Sequence, residues 1–577
     1  MMRVDCGRAL ADAKEADIID APDGSFEAPD GSTQADDGAE SGPTTPVGRW
    51  NPVRYLRRSW RRHRVFWAFG IWLLVSGYFV ASLALRRKTH ISDLLPLIAI
   101  YAFVSGKMLL AFTGTARVST RVAWASGWIM ERVRLVPRAA RYAVATAALV
   151  AAALAVSLGL PDNASGTRIE RMQSLLGIVV ITALLTLTSR HPRWIPWRTV
   201  IAGFMMQFCV GCVVARTRWG GDFFGWVSSM AQGLLAFAGY GARFLFGDDV
   251  GSSVVFAMSV FPAFIFFAAF VQVVCYLGGV QWLLRNLGQA FQVMLGTSGA
   301  ESVVAAAAPL VGQSEGMLLV RDCLEHVTLS EIHAFLTAGF ATVSGSTLQG
   351  YIALGVDSKS IITSCAMSIP CSLALSKIRW PETDEPLTRG TVVLPARSTD
   401  EANLLHAMSN GAAIGMQLSL MIAANLIAVI SLVQLADFLL GWLGQFVGIA
   451  GLTLEQVLGY VLYPYAWLLG VPRADVSAVA QLLGLKFVAN EFVAYQRLGD
   501  TSGGRPSMRS TLTTRGRLIA ELALCGFGNL GGIAQQIGLA GSLAPSRKAE
   551  FSRVALSACI TGSIATTMTA AVISIVV

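Results

Sequence analysis

The chain has 577 residues, 54% of them hydrophobic and only 14% charged, with 45 Lys and Arg against 36 Asp and Glu. A soluble domain carries roughly 25% charged residues, and here most of the charge sits in the first 64 residues and in short loops. Uncharged apolar windows long enough to cross a ~30 Å hydrocarbon core recur along the rest, among them 65–85, 142–160, 172–189, 334–356 and 554–577, which excludes a soluble enzyme, a nucleic-acid binder and a disordered protein. The net charge of +9 then reports topology in a lipid bilayer, not a nucleic-acid partner. The expected fold is an all-α polytopic membrane protein with about 11 transmembrane helices and two re-entrant helical hairpins.

In chain order, residues 1 to about 48 hold 11 acidic and 3 basic side chains and a near-repeat, Ala21-Pro22-Asp23-Gly24-Ser25 followed by Ala28-Pro29-Asp30-Gly31-Ser32. Such turn chemistry has no apolar face to offset its ordering entropy. Residues 1–64 are therefore expected to be a disordered tail, acidic and then basic, since seven arginines crowd 49–64. Basic residues beside a span hold that side in the cytoplasm, so the N-terminus is expected inside. Alternation then places the arginines between 117 and 141 inside, the loop 161–171 outside, and Arg190, Arg193 and Arg198 inside again. Arg86, Arg87 and Lys88 run against this count. The outside loop carries the chain's one N-x-S/T sequon, at Asn163-Ala164-Ser165, a glycosylation candidate. Residues 65–170 supply three N-terminal spans ahead of a core at 171–577, and the full count puts the C-terminus outside a plasma membrane.

From about Gly225 the alternation breaks down. Residues 225–246 are apolar and glycine-rich, as an interfacial or re-entrant segment would be, and 251–284 run 34 residues without a charge. That is too long for one untilted span, so one span plus part of a membrane-parallel helix is expected. Charged residues then interrupt apolar sequence at half-span intervals twice: Glu301 and Glu315 around 302–314, and Lys486 and Glu491 within 476–495. Each stretch leads into a long polar-interrupted span, 334–356 and 522–544, and one more span. Broken segments at matching places in two halves point to hairpins, about 298–377 and 476–577, around a midplane site of a secondary transporter.

A carboxylate at bilayer depth costs ~2.5–3.5 kcal/mol on insertion scales and normally faces a cavity, a partner or a substrate. Glu315, in Gly312-Gln313-Ser314-Glu315, and Glu491, beside Asn490, are the leading candidates. Amide, hydroxyl and carboxylate together suit a ligand with both hydroxyls and ring nitrogens. The competing reading is structural pairing with a cation, as Lys486 with Glu491 could provide. Cys525-Gly526-Phe527-Gly528-Asn529-Leu530-Gly531-Gly532 and Gly345-Ser346-Thr347 could unwind to expose backbone or could serve close helix packing. The nine cysteines form no disulfide framework, the Cys209/Cys212 pair is a weak metal or redox signal, and His326, His333 and His406 show no metal spacing.

At this point the sequence becomes recognisable. Gly484-Leu485-Lys486-Phe487-Val488-Ala489-Asn490-Glu491-Phe492-Val493-Ala494-Tyr495 resembles the G-x-K-x-x-x-N-E-F-V-A-Y signature of the concentrative nucleoside transporter family. Gly312-Gln313-Ser314-Glu315 resembles its G-Q-[TS]-E hairpin tip, and residues 523–529 are similar to its A-L-C-G-F-A-N segment. The similarity runs from about Met172 to the C-terminus, and the three added spans resemble the eukaryotic branch. The resemblance implies inverted repeats, a homotrimer with scaffold and transport domains, elevator-type alternating access, and nucleoside import driven by Na+ or H+ with no other cofactor. It implies that Gly312, Gln313, Ser314, Glu315, Ser346 and Thr347 face the nucleobase. It likewise implies that Glu491, Asn490, Asn529 and Phe527 serve the ribose, and that Ala308, Val311, Thr342 and Val343 offer carbonyls to a cation.

Three positions depart from that pattern. Gly531 and Gly532 stand where the family commonly has a serine, and Ala308 where sodium-coupled members usually have asparagine. Gly312 with Ser346 resembles broadly selective members. A lost ligand of this kind costs ~1–3 kcal/mol, whereas a proton needs only a desolvated carboxylate, so the sequence leans to proton coupling. The alternatives are a nucleoside receptor or sensor with the acidic tail as its signalling element, and an intramembrane enzyme. No HExxH, GxSxG or P-loop supports the enzyme.

Overall fold

The computed structural model describes residues 64–85, 101, 105, 137–163, 166–247, 256–313, 315–390, 401–449, 451–500 and 507–577. The acidic tail and its arginine-rich end, nearly all of the span expected near 94–113, Ser314, and the sequon's Ala164 and Ser165 lie outside them, as do the side chains of Glu315 and Ser346. The chain divides into two units, one spanning Asp20–Arg141 and the other built on Tyr142–Val577. Helix α1, Arg64–Leu85, covers the expected first span in the former.

The second unit is helical, with an isolated antiparallel bridge between Asn163 and Gly166 among the described residues. That bridge closes an exposed turn between α2 (Arg138–Gly159) and α3 (Arg168–Leu187). Helix α3 starts where Thr167 and Glu170 cap each other reciprocally. Such a box satisfies two of the orphan N–H groups at a helix start. Next come α4 (Trp197–Arg216), α5 (Arg218–Ala236) and α6 (Ala238–Phe246). The last two expose Phe223, Met230, Phe237, Tyr240 and Phe244, as an interfacial pair would. The uncharged stretch resolves into α7 (Phe256–Tyr276) and α8 (Gly279–Leu295), and the pair bends by 81°. Gly278 makes that turn at φ +83°, in the left-handed region.

One sequence of elements then occurs twice. The first pass is a hairpin, α9 (Gly299–Val311) and α10 (Glu315–Leu318), then a broken span, α11 (Leu329–Ala341) and α12 (Gly345–Ala353), then α13 (Ser358–Arg379). After the 43-residue α14 (Leu404–Phe446) and α15 (Leu454–Leu468) comes the second pass. Its hairpin is α16 (Val476–Val488) and α17 (Glu491–Gly499). A short α18 (Met508–Thr511) precedes its broken span, α19 (Thr514–Ala523) and α20 (Leu530–Leu543), and α21 (Lys548–Val576) closes it. Capping boxes at Ser298/Glu301 and Thr328/Glu331 start α9 and α11.

The two broken spans lie antiparallel with their breaks touching. The Phe527 N–H donates to the Thr342 carbonyl at 3.3 Å. Beyond the end of α20, Ser546 Oγ donates to Glu325 at 3.1 Å and Arg547 to the Leu324 carbonyl at 3.3 Å, just ahead of α11. At the opposite end, Arg509 donates to the Gly355 carbonyl after α12 and pairs with Glu521 of α19 at 3.3 Å. The repeat is therefore inverted.

Six helices among the described residues are long and apolar enough to cross a membrane, or seven if the bent pair is one span. This is fewer than expected because α11/α12 and α19/α20 are interrupted, and their pieces are too short to qualify singly. The spans of α13 and α21 are 89% and 83% buried in protein, against 11% for α2 and α14. The core therefore lies around the two repeats.

Candidate substrate site between the two hairpins

Both hairpins turn where the backbone cannot continue a helix. Gly312, at φ +114°, ends α9 and donates its N–H to the Ala308 carbonyl at 3.1 Å. Asn490 begins α17 by accepting the Val493 N–H at 3.0 Å on its side chain. Asn529 caps α20 in the same way, taking the Gly532 N–H at 2.7 Å. Gly526, at φ +96°, shapes the break ahead of it, and a Cβ there would stand 2.9 Å from the Phe340 carbonyl oxygen.

These four ends surround one cavity of about 890 Å³, counting the space open to solvent. One wall is apolar. Helix α14 contributes Leu418, Met421, Ile422, Asn425, Leu426 and Val429, one helical face, and α7 adds Phe264. The opposite wall carries Gln313, Thr347, Asn490, Glu491, Asn529 and Gln535, with Phe527 beside them.

The Glu491 carboxylate is 3% exposed. Its Oε1 accepts the Tyr351 hydroxyl at 3.2 Å and its Oε2 accepts the Asn529 amide at 3.0 Å. Lys486 is not its ion-pair partner, which corrects the structural reading of that pair. The Lys486 ammonium instead donates to the Ala523 and Cys525 carbonyls at 2.9 and 2.7 Å and to Thr566 at 3.4 Å, pinning the break of α19/α20. Helix-end carbonyls with no intrahelical partner are where a buried ammonium is worth most. Glu491 is thus held by neutral donors and keeps its charge available to the cavity.

Thr347 lines the cavity with its hydroxyl turned to the Ser344 carbonyl at 2.8 Å. Of the four expected cation ligands, the Ala308 carbonyl already accepts Gly312 and the Thr342 carbonyl accepts Phe527. A carbonyl has two lone pairs, so neither is thereby excluded as a ligand. Val343 shares a neighbouring cavity with Pro309 and Leu310 of the hairpin, so the C-terminal ends of α9 and α11, both partially negative, face each other. No cluster of three or more His, Cys, Asp or Glu that could hold a metal occurs among the described residues. His333 is packed against Ser376 at 2.8 Å and Ser557 at 3.2 Å.

Comparisons with known proteins agree on one kinship. The family description "Na+ dependent nucleoside transporter" matches residues 176–249 for its N-terminus and 360–574 for its C-terminus, with "Nucleoside recognition" matching 257–357 between them. Solute carrier family 28 member 3 of Eptatretus stoutii is 38% identical over 427 residues, 73% of this chain and 62% of that protein. Sodium/nucleoside cotransporter 1 of Rattus norvegicus is 39% identical over 71% of this chain and 64% of its own length, so the match spans just under two thirds of either relative. For its Mus musculus counterpart the figures are 38% identity, 74% and 67%. The solved structure of CNTnw in an inward-facing substrate-bound state is 33% identical, covers 70% of this chain and 97% of that one, and superposes with a TM-score of 0.65. The chain belongs to the concentrative nucleoside transporter family.

That family is one of transporters, not enzymes. Within this family member the structure brings Gly312, Gln313, Thr347, Asn490, Glu491, Phe527 and Asn529 to one cavity. Gly531 and Gly532 line it too and contribute no side chain. Four polar residues of the site escaped the sequence reading: Tyr351, Asn425, Gln535 and Gln536. Tyr351 lies one helical turn after Thr347 on the same face, and the adjacent glutamines sit inside an apolar span. Both were available as signals.

Proposed function

We propose that the protein is a secondary active symporter that imports nucleosides down a cation gradient. The observation that carries this reading is the buried Glu491 carboxylate, held by Tyr351 and Asn529 at the edge of a cavity lined by hairpin tips and helix breaks. A carboxylate is a strong acceptor for a vicinal diol, so Glu491, Asn490, Asn529 and Phe527 take the ribose. Gly312, Gln313, Ser314, Glu315, Ser346 and Thr347 take the base, with broad purine and pyrimidine selectivity. Hairpins and broken spans move as a transport domain against a scaffold containing α7 and α14, in a homotrimer of the plasma membrane. The acidic tail (1–64) and the added spans (65–170) precede this core (171–577), with the N-terminus cytoplasmic and the C-terminus and Asn163 outside.

Sodium is the first choice of coupling ion, because the relatives are named as sodium cotransporters and the facing ends of α9 and α11 offer carbonyls. Proton coupling is the second reading, carried by Ala308, whose methyl group supplies no ligand. Radiolabelled uridine uptake and uridine-evoked current in oocytes separate these readings. Accumulation above the external level that collapses without a cation gradient is expected, and binding without accumulation would make the protein a receptor. Current that returns only with sodium at either pH supports sodium. A steep rise on acidification from about pH 7.5 to 5.5 in sodium-free medium supports protons. Endoglycosidase treatment of Asn163→Gln beside the unmodified protein checks orientation: a mobility shift that survives the substitution would reopen the topology.

A further inference from the structure

Three glutamines from distant parts of the chain meet at the tip of the first hairpin. The Gln536 amide donates to Gln313 Oε1 at 3.2 Å, and the Gln313 amide donates to Gln535 Oε1 at 3.3 Å. Gln536 is fully buried and its own Oε1 has no hydrogen-bond partner. It occupies the buried stripe of α20 with Gly532 and Ala540, where an apolar side chain would be the ordinary choice. The fold leaves room for it: a Cβ on Gly339 of α11 would stand 2.8 Å from Gln536 Nε2 and 3.1 Å from the Gln313 Cβ. Burying an amide is unfavourable unless its hydrogen bonds are used, so this placement needs a reason beyond packing. Gln313 and Gln535 both line the substrate cavity and Gln536 stands behind them.

We infer that the three glutamines form an amide relay that reads the edge of the nucleobase. Gln535 is a base contact, and Gln536 is a positioning residue that sets which way Gln313 faces. An amide can present either end, but hydrogen-bonded amides in series share one polarity, because turning one sets donor against donor. Gln536 donates to Gln313 and Gln313 donates to Gln535, so the N–H2 end of Gln535 is what the relay offers the cavity. A donor there favours bases with an oxo group at that edge (uracil, hypoxanthine) over bases with an amino group (cytosine, adenine). A site built to hydrogen-bond one group discriminates against its mismatch because buried partners are left unpaired. The loss of side chains at Gly531 and Gly532 shifts polar recognition on this helix one turn on, to Gln535. This inference rests on the nucleoside reading and adds its specificity.

The test is uptake of uridine, inosine, cytidine and adenosine at low concentration in oocytes expressing the full chain, with surface expression matched. The unmodified protein is expected to favour the two oxo nucleosides about tenfold. Gln536→Leu frees Gln313 to turn and brings that ratio close to one. Gln536→Glu places an acceptor behind Gln313, reverses the relay and inverts the preference, which a purely structural role would not do. Should both fail to reach the surface, Gln535→Glu, at a half-buried cavity position, is expected to switch preference to the amino nucleosides. Uptake with no oxo preference, or a ratio unmoved in every variant that reaches the surface, overturns the relay and leaves nucleoside transport standing. Absence of any nucleoside uptake by the unmodified chain overturns both.

Discussion

The two hairpins share a backbone plan and differ in how they are anchored. Each begins with a 13-residue helix, α9 or α16, and each tip turns into a second helix at a residue that faces the cavity. The first is tied at its base by opposite charges: Lys377 of α13 lies 2.5 Å from Glu301 and 3.2 Å from Glu382, and donates to Ser330 at 2.8 Å. The second carries its own cation near the tip, where Lys486 bonds the carbonyls of the α19/α20 break. A buried ammonium facing carboxylates guards against uncompensated charge, whereas one facing carbonyls satisfies helix ends. The second hairpin is thereby linked to the break that supports Phe527 and Asn529, and the first is linked to α13, away from the cavity.

Four substitutions can break or sharpen this contrast. The largest effect is expected from Lys377→Met, which leaves Glu301 buried without its cation. Breaking a buried pair costs ~3–5 kcal/mol, read as a lower melting temperature and poor recovery of folded protein in detergent. Lys486→Met should cost less, ~1.5–3 kcal/mol, because it strands carbonyls rather than a charge. Equal losses for the two lysines would dissolve the distinction between the anchors. Glu491→Gln should leave melting nearly unchanged yet weaken uridine uptake at least tenfold, since a neutral amide gives up charge-assisted bonds worth ~1.5–3 kcal/mol. Normal low-concentration uptake at matched surface expression would remove Glu491 from the site. Gly526→Ala should cost ~1–2 kcal/mol, a modest melting shift that tests how tightly the break between the two repeats is built.

Much of the site was legible in the chain because membrane depth makes polar residues conspicuous. Glu491, Asn490, Gln313 and Asn529 stand out against apolar sequence, and short interrupted segments at 302–314 and 476–495 marked both hairpins. The expected bend within 251–284 followed from length alone, and the 81° turn at Gly278 accounts for it. The span count was less legible. Continuous hydropathy across 334–356 and 522–544 conceals the breaks at 342–344 and 524–529, since hydropathy does not register where backbone hydrogen bonding stops. The local pairing of Lys486 with Glu491 also misled. The two are five residues apart, but the turn at Ala489 and Asn490 separates the helices that carry them.

The sequence by itself determined that the chain is a membrane protein, that its core is a repeated hairpin and broken span, and which carboxylates sit at bilayer depth. Those properties follow from the transfer free energy of residues and short segments, which is local. Only the tertiary structure decided what each polar group faces. Glu491 meets Tyr351 from 140 residues away, Gln313 meets Gln535 and Gln536 from more than 220, and Thr342 meets Phe527 where the two breaks touch. Hydrogen bonds are short and directional, so their partners are fixed by how the inverted repeats pack, and spacing along the chain does not encode that packing.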